Sequence, residues 1–181
     1  MIIGKKDTKL NLIMINFQWF FGGEKMTQII YLKGDATNPI AKGNKIIAHI
    51  CNDAGGWGKG FVLAISRKWK QPEKEYRKWY RDKNNFKLGE VQLVPVLNYI
   101  SVCNMIGQKG TKTGSKGAPI RYEAVESCLE KLAEIAKEQQ ASIHMPRIGC
   151  GLAGGKWELI EPIIRKTLTV KGVAVYIYDF D

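Results

Sequence analysis

The segment from residue 46 to residue 69 constrains the fold of this chain most strongly, because a strand, a glycine loop and a helix follow one another in it without interruption. The apolar run at 46–50 predicts a buried strand, and apolar residues at helical spacing predict a helix at 61–69. The intervening loop contains four glycines: Gly55, Gly56, Gly58 and Gly60. Glycines let the backbone approach an anion closely and adopt positive φ. The arrangement therefore predicts backbone N–H groups that point at a phosphate.

Apolar and amphipathic runs alternate along the rest of the chain. Strands are predicted at 29–32, 91–96, 99–106, 142–146 and 173–180, and helices at 73–82, 121–140 and 157–168. This order predicts an α/β fold in which helices cover both faces of a mixed sheet. Ligands of such folds bind outside the carboxyl ends of the strands. Three glycine-bearing segments follow strand ends here, at 34–35, 52–60 and 149–155, and we expect them to converge on one crevice.

Composition bounds the class of protein. A length of 181 residues suits a single domain. The formal net charge of +11 is that of a basic, soluble surface or indicates attraction to polyanions or phosphorylated small molecules. The basic residues are dispersed and no nucleic-acid-binding signature accompanies them, so charge alone supports nucleic acid as a partner. No membrane-spanning run is present, since the apolar stretch at 10–21 is short and interrupted by polar residues.

Cysteine and histidine usage points away from a metal site. The four cysteines form no C-x-x-C pair and the chain has two histidines, which argues against zinc. We expect no metal and no cofactor. Cys51, Cys103 and Cys150 lie in apolar, strand-like contexts, so buried reduced thiols are predicted, as is typical of the cytoplasm.

The first 25 residues are predicted to lie outside the domain. Residues 22–25, GGEK, stand directly before Met26, as they would if a purine-rich ribosome-binding site were translated in frame. No small-residue cleavage site of a signal peptide follows the apolar stretch. We therefore expect residues 1–25 to be a non-native extension and residues 26–181 to form the domain. Mass spectrometry of the natively expressed protein tests this expectation.

Several polar side chains next to the glycine segments are candidates for ligand binding, each with a structural alternative. The Asp35 carboxylate is either an acceptor of a hydrogen bond from an adenine amine or a turn-forming residue. Asn52 and Asp53 either bind a sugar or only form the turn that precedes the glycines. His49 acts as a proton acceptor near neutrality or is a satisfied core residue.

Two further features near these residues are also open to a ligand. Trp57 lies between glycines, where we expect an exposed ring that stacks on a ligand or covers an apolar edge. The basic loop at 107–119 is a mobile surface loop or a lid over an anion. The second glycine loop, IGCGLAGG, has the same anion-binding potential as the first, and two such loops suit a diphosphate. No Walker pattern or strict G-x-G-x-x-G occurs, which argues against an NTPase or a dinucleotide dehydrogenase.

Three motifs together carry a resemblance to a known family. YLKGDATNP, AHICNDAGGWGKGFVLAIS and HMPRIGCGLAGGKWE occur in that order, and from about Met26 onward the chain resembles the macro domain, the Appr-1-p processing family. The resemblance implies a three-layer α/β/α sandwich that binds ADP-ribose in a cleft. It places Asp35 at the adenine amine, beside Gly34 and Ala36. It places Asn52 and the loop from Gly55 to Gly60 at the distal ribose and its phosphate. It places the diphosphate at the backbone of four residues: Gly149, Cys150, Gly151 and Leu152.

Within that family the chain resembles the branch of the ADP-ribose-1″-phosphate phosphatase and the terminal ADP-ribose glutamate-hydrolase. The hydrolase type has an aspartate after G-C-G-L and a lysine after the strand at 99–106, whereas this chain has Ala153 and, near Gly107 and Gln108, only the adjacent Lys109. The pattern H-x-C-N-x-x-G-x-W-G-x-G of the phosphatase type is matched from His49 to Gly60. The resemblance thus implies removal of phosphate or ADP-ribose from an ADP-ribose derivative, with His49, Asn52 and Asp53 as candidate catalytic residues. The alternative is a reader that binds ADP-ribose without turnover, which Ala153 and the missing lysine favour.

Overall fold

The structure, a computed structural model, describes residues 20–21, 24–112 and 117–179. The strands are β1 (Phe20–Phe21), β2 (Glu24–Lys25), β3 (Ile29–Lys33), β4 (Lys45–Asn52), β5 (Val91–Leu97), β6 (Ile100–Gln108), β7 (Ser142–Pro146) and β8 (Val175–Asp179). The helices are α1 (Phe61–Lys68), α2 (Gln71–Asp82), α3 (Tyr122–Glu138) and α4 (Trp157–Thr167), and a short 3₁₀ helix covers Thr169–Lys171. β1 and β2 form a separate antiparallel pair.

The six remaining strands form one mixed sheet in the order β3-β8-β7-β4-β6-β5. The first five strands of that order are parallel, and only β5 runs antiparallel to its neighbour β6. The carboxyl ends of the five parallel strands therefore meet at one edge of the sheet, which is where the loops predicted to bind a ligand begin.

Helices cover both faces of this sheet, because its central strands bury alternate side chains on opposite sides. On β4, Ile46 and Ala48 belong to the core under α3 and α4, whereas Ile47 and Cys51 belong to the core under α1 and α2. The predicted three-layer α/β/α sandwich is confirmed. β4 shows no alternation of apolar and polar residues because both of its faces are buried.

The predicted elements are all present, with differences at their ends. β6 continues to Gln108, two residues beyond the predicted end, and this places Gln108 at the edge where the loops meet. The last strand begins at Val175 rather than residue 173, because the 3₁₀ helix ends at Gly172 in the left-handed conformation (φ 76°). Cys51 and Cys103 are buried and reduced as predicted, but Cys150 is only half-buried, since it lies in a loop and not in a strand.

Two predictions fall wholly or partly on residues that the structure does not describe. Of the proposed extension at 1–25, only the backbone of β1 and β2 is described, so the domain boundary stays a prediction. Of the basic loop at 107–119, residues 113–116 lie outside the described part. No helix in the described ranges is long and apolar enough to cross a membrane.

Candidate functional site

A cleft runs along the carboxyl edge of the parallel strands. It consists of two cavities of about 240 Å³ each, which share Phe61, Pro146 and Arg147 and are therefore continuous. The first cavity is completed by Gly34, Ala36, Tyr178 and Asp179. The second is completed by His49, Ile50, Lys59, Gly60, Val62, Gln108, Ile148, Gly149, Gly151, Leu152 and Ala153. The predicted convergence of the three glycine-bearing segments on one crevice is thus confirmed.

The Asn52 side chain organises the first glycine loop from within. Its Oδ1 accepts hydrogen bonds from the backbone N–H groups of Ala54 (3.0 Å) and Gly56 (2.9 Å), and its Nδ2 donates to the Gly56 carbonyl oxygen (2.7 Å). Asn52 is 9% exposed. These are the contacts of the turn-forming alternative, and they leave one amide N–H of Asn52 for a ligand.

Side chains of helix α2 contact the same loop. The buried Tyr76 hydroxyl donates to the main-chain oxygen of Asn52 (2.6 Å), and Arg77 donates to the carbonyl oxygen of Trp57 (3.1 Å). Gly55 adopts a φ of +73°, and a Cβ atom at this position would stand 2.4 Å from the Tyr80 ring. The loop therefore needs glycine at position 55 for its conformation and for its contact with α2.

The expectation that Trp57 is exposed was wrong. Trp57 is 7% exposed, and the centre of its ring lies 5.3 Å from the ring centres of both His49 and Tyr76. Its Nε1 donates a hydrogen bond to Ser66 Oγ (2.8 Å). Neighbouring glycines suggested a solvated ring, but the loop folds the indole into the core under α1 and α2. Trp57 covers an apolar region there, which is the alternative that the sequence left open.

Asp53 ties the first loop to the segment that follows β6. Its Oδ1 accepts from the backbone N–H of Gly110 (2.7 Å), and its own N–H donates to the Gln108 carbonyl oxygen (2.9 Å). Its Oδ2 has no hydrogen-bond partner among residues 24–112 and 117–179. Asp53 is half-buried, so one oxygen of this carboxylate is left for a ligand or a water molecule.

His49 is a core residue in its contacts. Asn104 donates through Nδ2 to Gln92 Oε1 (3.0 Å) and to the Pro72 carbonyl oxygen (3.2 Å), which directs its Oδ1 at His49 Nε2 (2.6 Å). His49 Nε2 must therefore carry the proton, and Nδ1 is the unprotonated nitrogen. The residue is 2% exposed, and burial lowers the pKa of His49 to about 4. His49 is thus neutral at pH 7 and a weak proton acceptor.

Two segments with unsatisfied backbone N–H groups line the second cavity: the second glycine loop and the start of α1. Gly149 takes a φ of +71° and its carbonyl oxygen accepts from the Gly155 N–H (2.8 Å), which closes the second glycine loop. In the described part of the chain, the N–H groups of Gly151, Leu152 and Ala153 have no hydrogen-bond partner. α1 begins at Phe61 with no side-chain cap. The Leu63 N–H donates to the Gly60 carbonyl oxygen (3.1 Å), whereas the N–H groups of Phe61 and Val62 have no partner among the described residues. The pair forms a site that suits a diphosphate, and the exposed Lys59 adds a positive charge beside it.

At the other end of the cleft, Asp35 shapes the turn after β3. Its two carboxylate oxygens accept from the backbone N–H and the hydroxyl of Thr37, each at 2.8 Å. Ala36 is 2% exposed and lines the first cavity beside Gly34. The turn-forming alternative therefore describes the contacts of Asp35, a half-buried residue that lies in the chain between the cavity-lining Gly34 and Ala36.

The structure brings only part of the predicted site to the cleft wall. The predicted residues that line the two cavities are Gly34, Ala36, His49, Gly60, Gly149, Gly151 and Leu152. The predicted residues that line neither cavity are Asp35, Asn52, Asp53, Gly55, Gly56, Trp57, Gly58 and Cys150. The first group forms the surface of the cleft, and most of the second group shapes the loops behind it.

Sequence reasoning missed Phe61, Lys59, Gln108 and Arg147 as cleft residues. Their sequence signal was position alone, since each adjoins a glycine, ends a strand or directly follows one. Gln108 donates to the Gly110 carbonyl oxygen (2.8 Å), and Lys109 is exposed. Ala153 is buried in the cleft wall. No lysine–aspartate pair is therefore formed at these positions. In the described ranges, no group of three or more His, Cys, Asp or Glu residues is placed to hold a metal ion.

Comparison with known proteins gives a consistent result. The family model of the Macro domain matches residues 48–164. The chromodomain-helicase-DNA-binding protein 1-like of Danio rerio is 34% identical over 165 residues, which cover 85% of this chain and 16% of that protein. The chain thus spans less than a fifth of the first two curated relatives that it matches, at 16% and 18% of their lengths.

A further curated relative and a solved structure match this chain over nearly their full lengths. The ADP-ribose 1″-phosphate phosphatase of Lodderomyces elongisporus is 28% identical, and the match covers 82% of this chain and 98% of the enzyme. A macrodomain protein from Streptomyces coelicolor superposes with a TM-score of 0.76 at 55% identity, covering 84% of this chain and 99% of that structure.

Proposed function

Because this chain belongs to the Macro domain family, we propose that its cleft binds ADP-ribose and that it hydrolyses an ADP-ribose derivative, either the 1″-phosphate or an ADP-ribosyl ester on a macromolecule. One observation carries the proposal. Residues with unsatisfied N–H groups, from the second glycine loop and from the first two positions of α1, line one cavity, which is continuous with a second, mostly apolar one. A diphosphate fits the first of these environments and a purine the second.

The orientation of the ligand follows from the ends of the cleft. Gly34, Ala36 and the neighbouring Asp35 stand at the apolar cavity, where an adenine amine would find a carboxylate. The distal ribose would then lie at the opposite end, near Gly60 and Gln108 and beside the loop that Asn52 holds. The excess of basic residues favours a dianionic ligand of this kind.

The chemistry would take place at the distal ribose. A water molecule would attack the phosphorus of the 1″-phosphate, the bond from phosphorus to the ribose oxygen would break, and that oxygen would take a proton as phosphate leaves. Asp53 is the candidate general base because its Oδ2 is unpartnered in the described residues, and the remaining N–H of Asn52 would orient the ribose. The loop N–H groups would stabilise charge on the phosphate oxygens. His49 would act by holding the loop, since its imidazole is buried.

A reader that binds ADP-ribose without turnover is the second candidate. The contacts of the catalytic candidates favour it, because most polar atoms of His49, Asn52 and Asp53 bond within the protein and neither Asn52 nor Asp53 lines either cavity. The absence of a lysine–aspartate pair at Gln108 and Ala153 also favours it. A cytoplasmic location and nucleic acid as a minor partner stay predictions, and nucleic-acid binding would show steep salt dependence.

Three measurements on the full chain test the proposal. Isothermal titration calorimetry with ADP-ribose measures binding, and phosphate release from ADP-ribose 1″-phosphate measures turnover, alongside release of ADP-ribose from modified protein. Saturable binding with turnover supports the hydrolase. Binding without any release leaves the reader, and no binding overturns both.

Two variants assign the catalytic roles. Asp53→Asn should reduce turnover strongly while ADP-ribose binding is kept, because the amide cannot accept a proton from water. Asp82→Asn is the matched control, since Asp82 is exposed at the end of α2 and pairs there with Lys78. Full turnover in Asp53→Asn would remove Asp53 as the base.

A further inference from the structure

Arg147 is held rigidly at the junction of the two cavities. Its guanidinium forms a two-pronged ion pair with Asp179, with Nε 2.6 Å from Oδ1 and Nη2 2.9 Å from Oδ2. Its Cζ lies 5.4 Å from the centre of the Tyr31 ring and 4.9 Å from that of Trp157. These hydrogen bonds lower the pKa of the Asp179 carboxyl. Carboxylate and rings together fix the plane of the guanidinium before any ligand arrives.

This fixed group is also accessible from the cleft. The Arg147 side chain is 39% exposed and lines both cavities, and two of its five N–H groups are used by Asp179. The rest of the first cavity is built mainly from small or apolar surfaces: Gly34, Ala36, Phe61, Pro146 and Tyr178. A flat group that enters this cavity meets the guanidinium on one wall and apolar surface on the others.

The ion pair determines what Arg147 can offer to a ligand. The Asp179 carboxylate offsets the positive charge of the guanidinium, so Arg147 attracts phosphate less strongly than an unpaired arginine would. The second cavity already has groups that suit phosphate, namely unsatisfied backbone N–H groups and the Lys59 ammonium. The part of the Arg147 side chain that stays exposed at the cavity ends in a planar guanidinium, a group that stacks well on aromatic rings.

We propose that Arg147, fixed by Asp179 and by the Tyr31 and Trp157 rings, is the stacking platform for the purine ring of the ligand. The proposal rests on the proposed function for the identity of that ligand and assigns a residue that sets its base recognition. A lysine cannot replace Arg147 in this role, because an ammonium keeps the charge but has no plane.

The test measures binding of ADP-ribose and of adenosine, which has the purine but no phosphate, to Arg147→Lys and Arg147→Ala. Both variants should bind both ligands about tenfold more weakly than the unmodified protein does. Arg165→Lys is the matched control, because Arg165 also pairs with a carboxylate, that of Glu161 on α4, but lines neither cavity. Its affinities should be unchanged. Thermal unfolding of each variant shows that it is folded, and Arg147→Lys keeps a cation beside Asp179 if Arg147→Ala is unstable.

Each other outcome overturns the platform in a distinct way. Unaltered affinity of Arg147→Lys would mean that charge is the useful property. Weakened ADP-ribose binding with unaltered adenosine binding would place Arg147 at the diphosphate. Failure of the unmodified protein to bind ADP-ribose would instead overturn the proposed function, and the platform with it.

Discussion

Replacing Gly55 by alanine should destabilise the first glycine loop in two separate ways. Gly55 has a φ of +73°, and holding a residue with a Cβ in this left-handed region costs about 1–2 kcal/mol. The new Cβ would also stand 2.4 Å from Cδ1 and 2.6 Å from Cγ of Tyr80. Either the loop or the Tyr80 ring must move, and such overpacking costs about 1–3 kcal/mol. Together, the free energy of unfolding should fall by about 3 kcal/mol.

The same loop provides a matched control. Gly58 has no positive φ, and a Cβ there would meet no atom within 4 Å, so Gly58→Ala should change the free energy of unfolding by less than about 0.5 kcal/mol. Urea unfolding measures both variants, and the m-value should stay constant. In a thermal scan, Gly55→Ala should lower the Tm by roughly 6–12 °C.

A double variant separates the two costs. Tyr80→Ala removes the ring that the new Cβ would contact, so Gly55→Ala in that background should cost only the backbone strain, about 1–2 kcal/mol. Equal stability of Gly55→Ala and Gly58→Ala would refute the described contact between the loop and α2. A cost for Gly55→Ala that is the same with and without Tyr80 would refute the clash but keep the strain.

Three further predictions concern the same region. Tyr76→Phe should cost about 1–2 kcal/mol in urea unfolding, because the buried carbonyl oxygen of Asn52 loses its donor, whereas Tyr99→Phe at an exposed site should cost nothing measurable; equal costs would contradict this. In NMR titrations the imidazole signals of His49 and His144, the only two histidines, should stay those of the neutral ring down to about pH 5, since burial lowers both pKa values to about 4; a midpoint near 6.5 for His49 would show it to be accessible. The pKa of His49 is higher in the unfolded state than in the folded state, so the contribution of neutral His49 to stability is complete above about pH 6.5 and decreases by up to about 3 kcal/mol as pH falls towards 4. The variant His49→Gln should therefore show a weaker decrease of the urea midpoint with falling pH. An unchanged pH dependence would contradict this linkage.

The parts of the fold that were predictable depend on local patterns. The strand at 45–52 and the glycine loop after it are legible because buried apolar runs and glycine clusters act over a few residues. The convergence of three such segments follows from a general property of parallel sheets. These two facts locate the cleft without any knowledge of side-chain contacts.

The roles of individual residues were less predictable because their partners are distant in sequence. Whether His49 is a core residue or a base depends on Asn104, which is 55 residues away. The significance of Arg147 depends on Asp179, 32 residues downstream, and on a ring from the first strand of the sheet. Trp57 is buried because it donates a hydrogen bond to Ser66 and packs on the Tyr76 ring, although its glycine neighbours suggested exposure.

Backbone N–H groups of the second glycine loop and of the α1 N-terminus are proposed to bind the diphosphate of ADP-ribose, and a ¹⁵N NMR titration with ADP-ribose reports on each of these amides. The largest amide shifts are expected at Phe61, Val62, Gly151, Leu152 and Ala153. No shift is expected in the groove at the opposite edge of the sheet, which Lys42, Lys137 and Gly172 help to line. Shifts confined to that groove, or no shifts at all, would contradict diphosphate binding at the cleft.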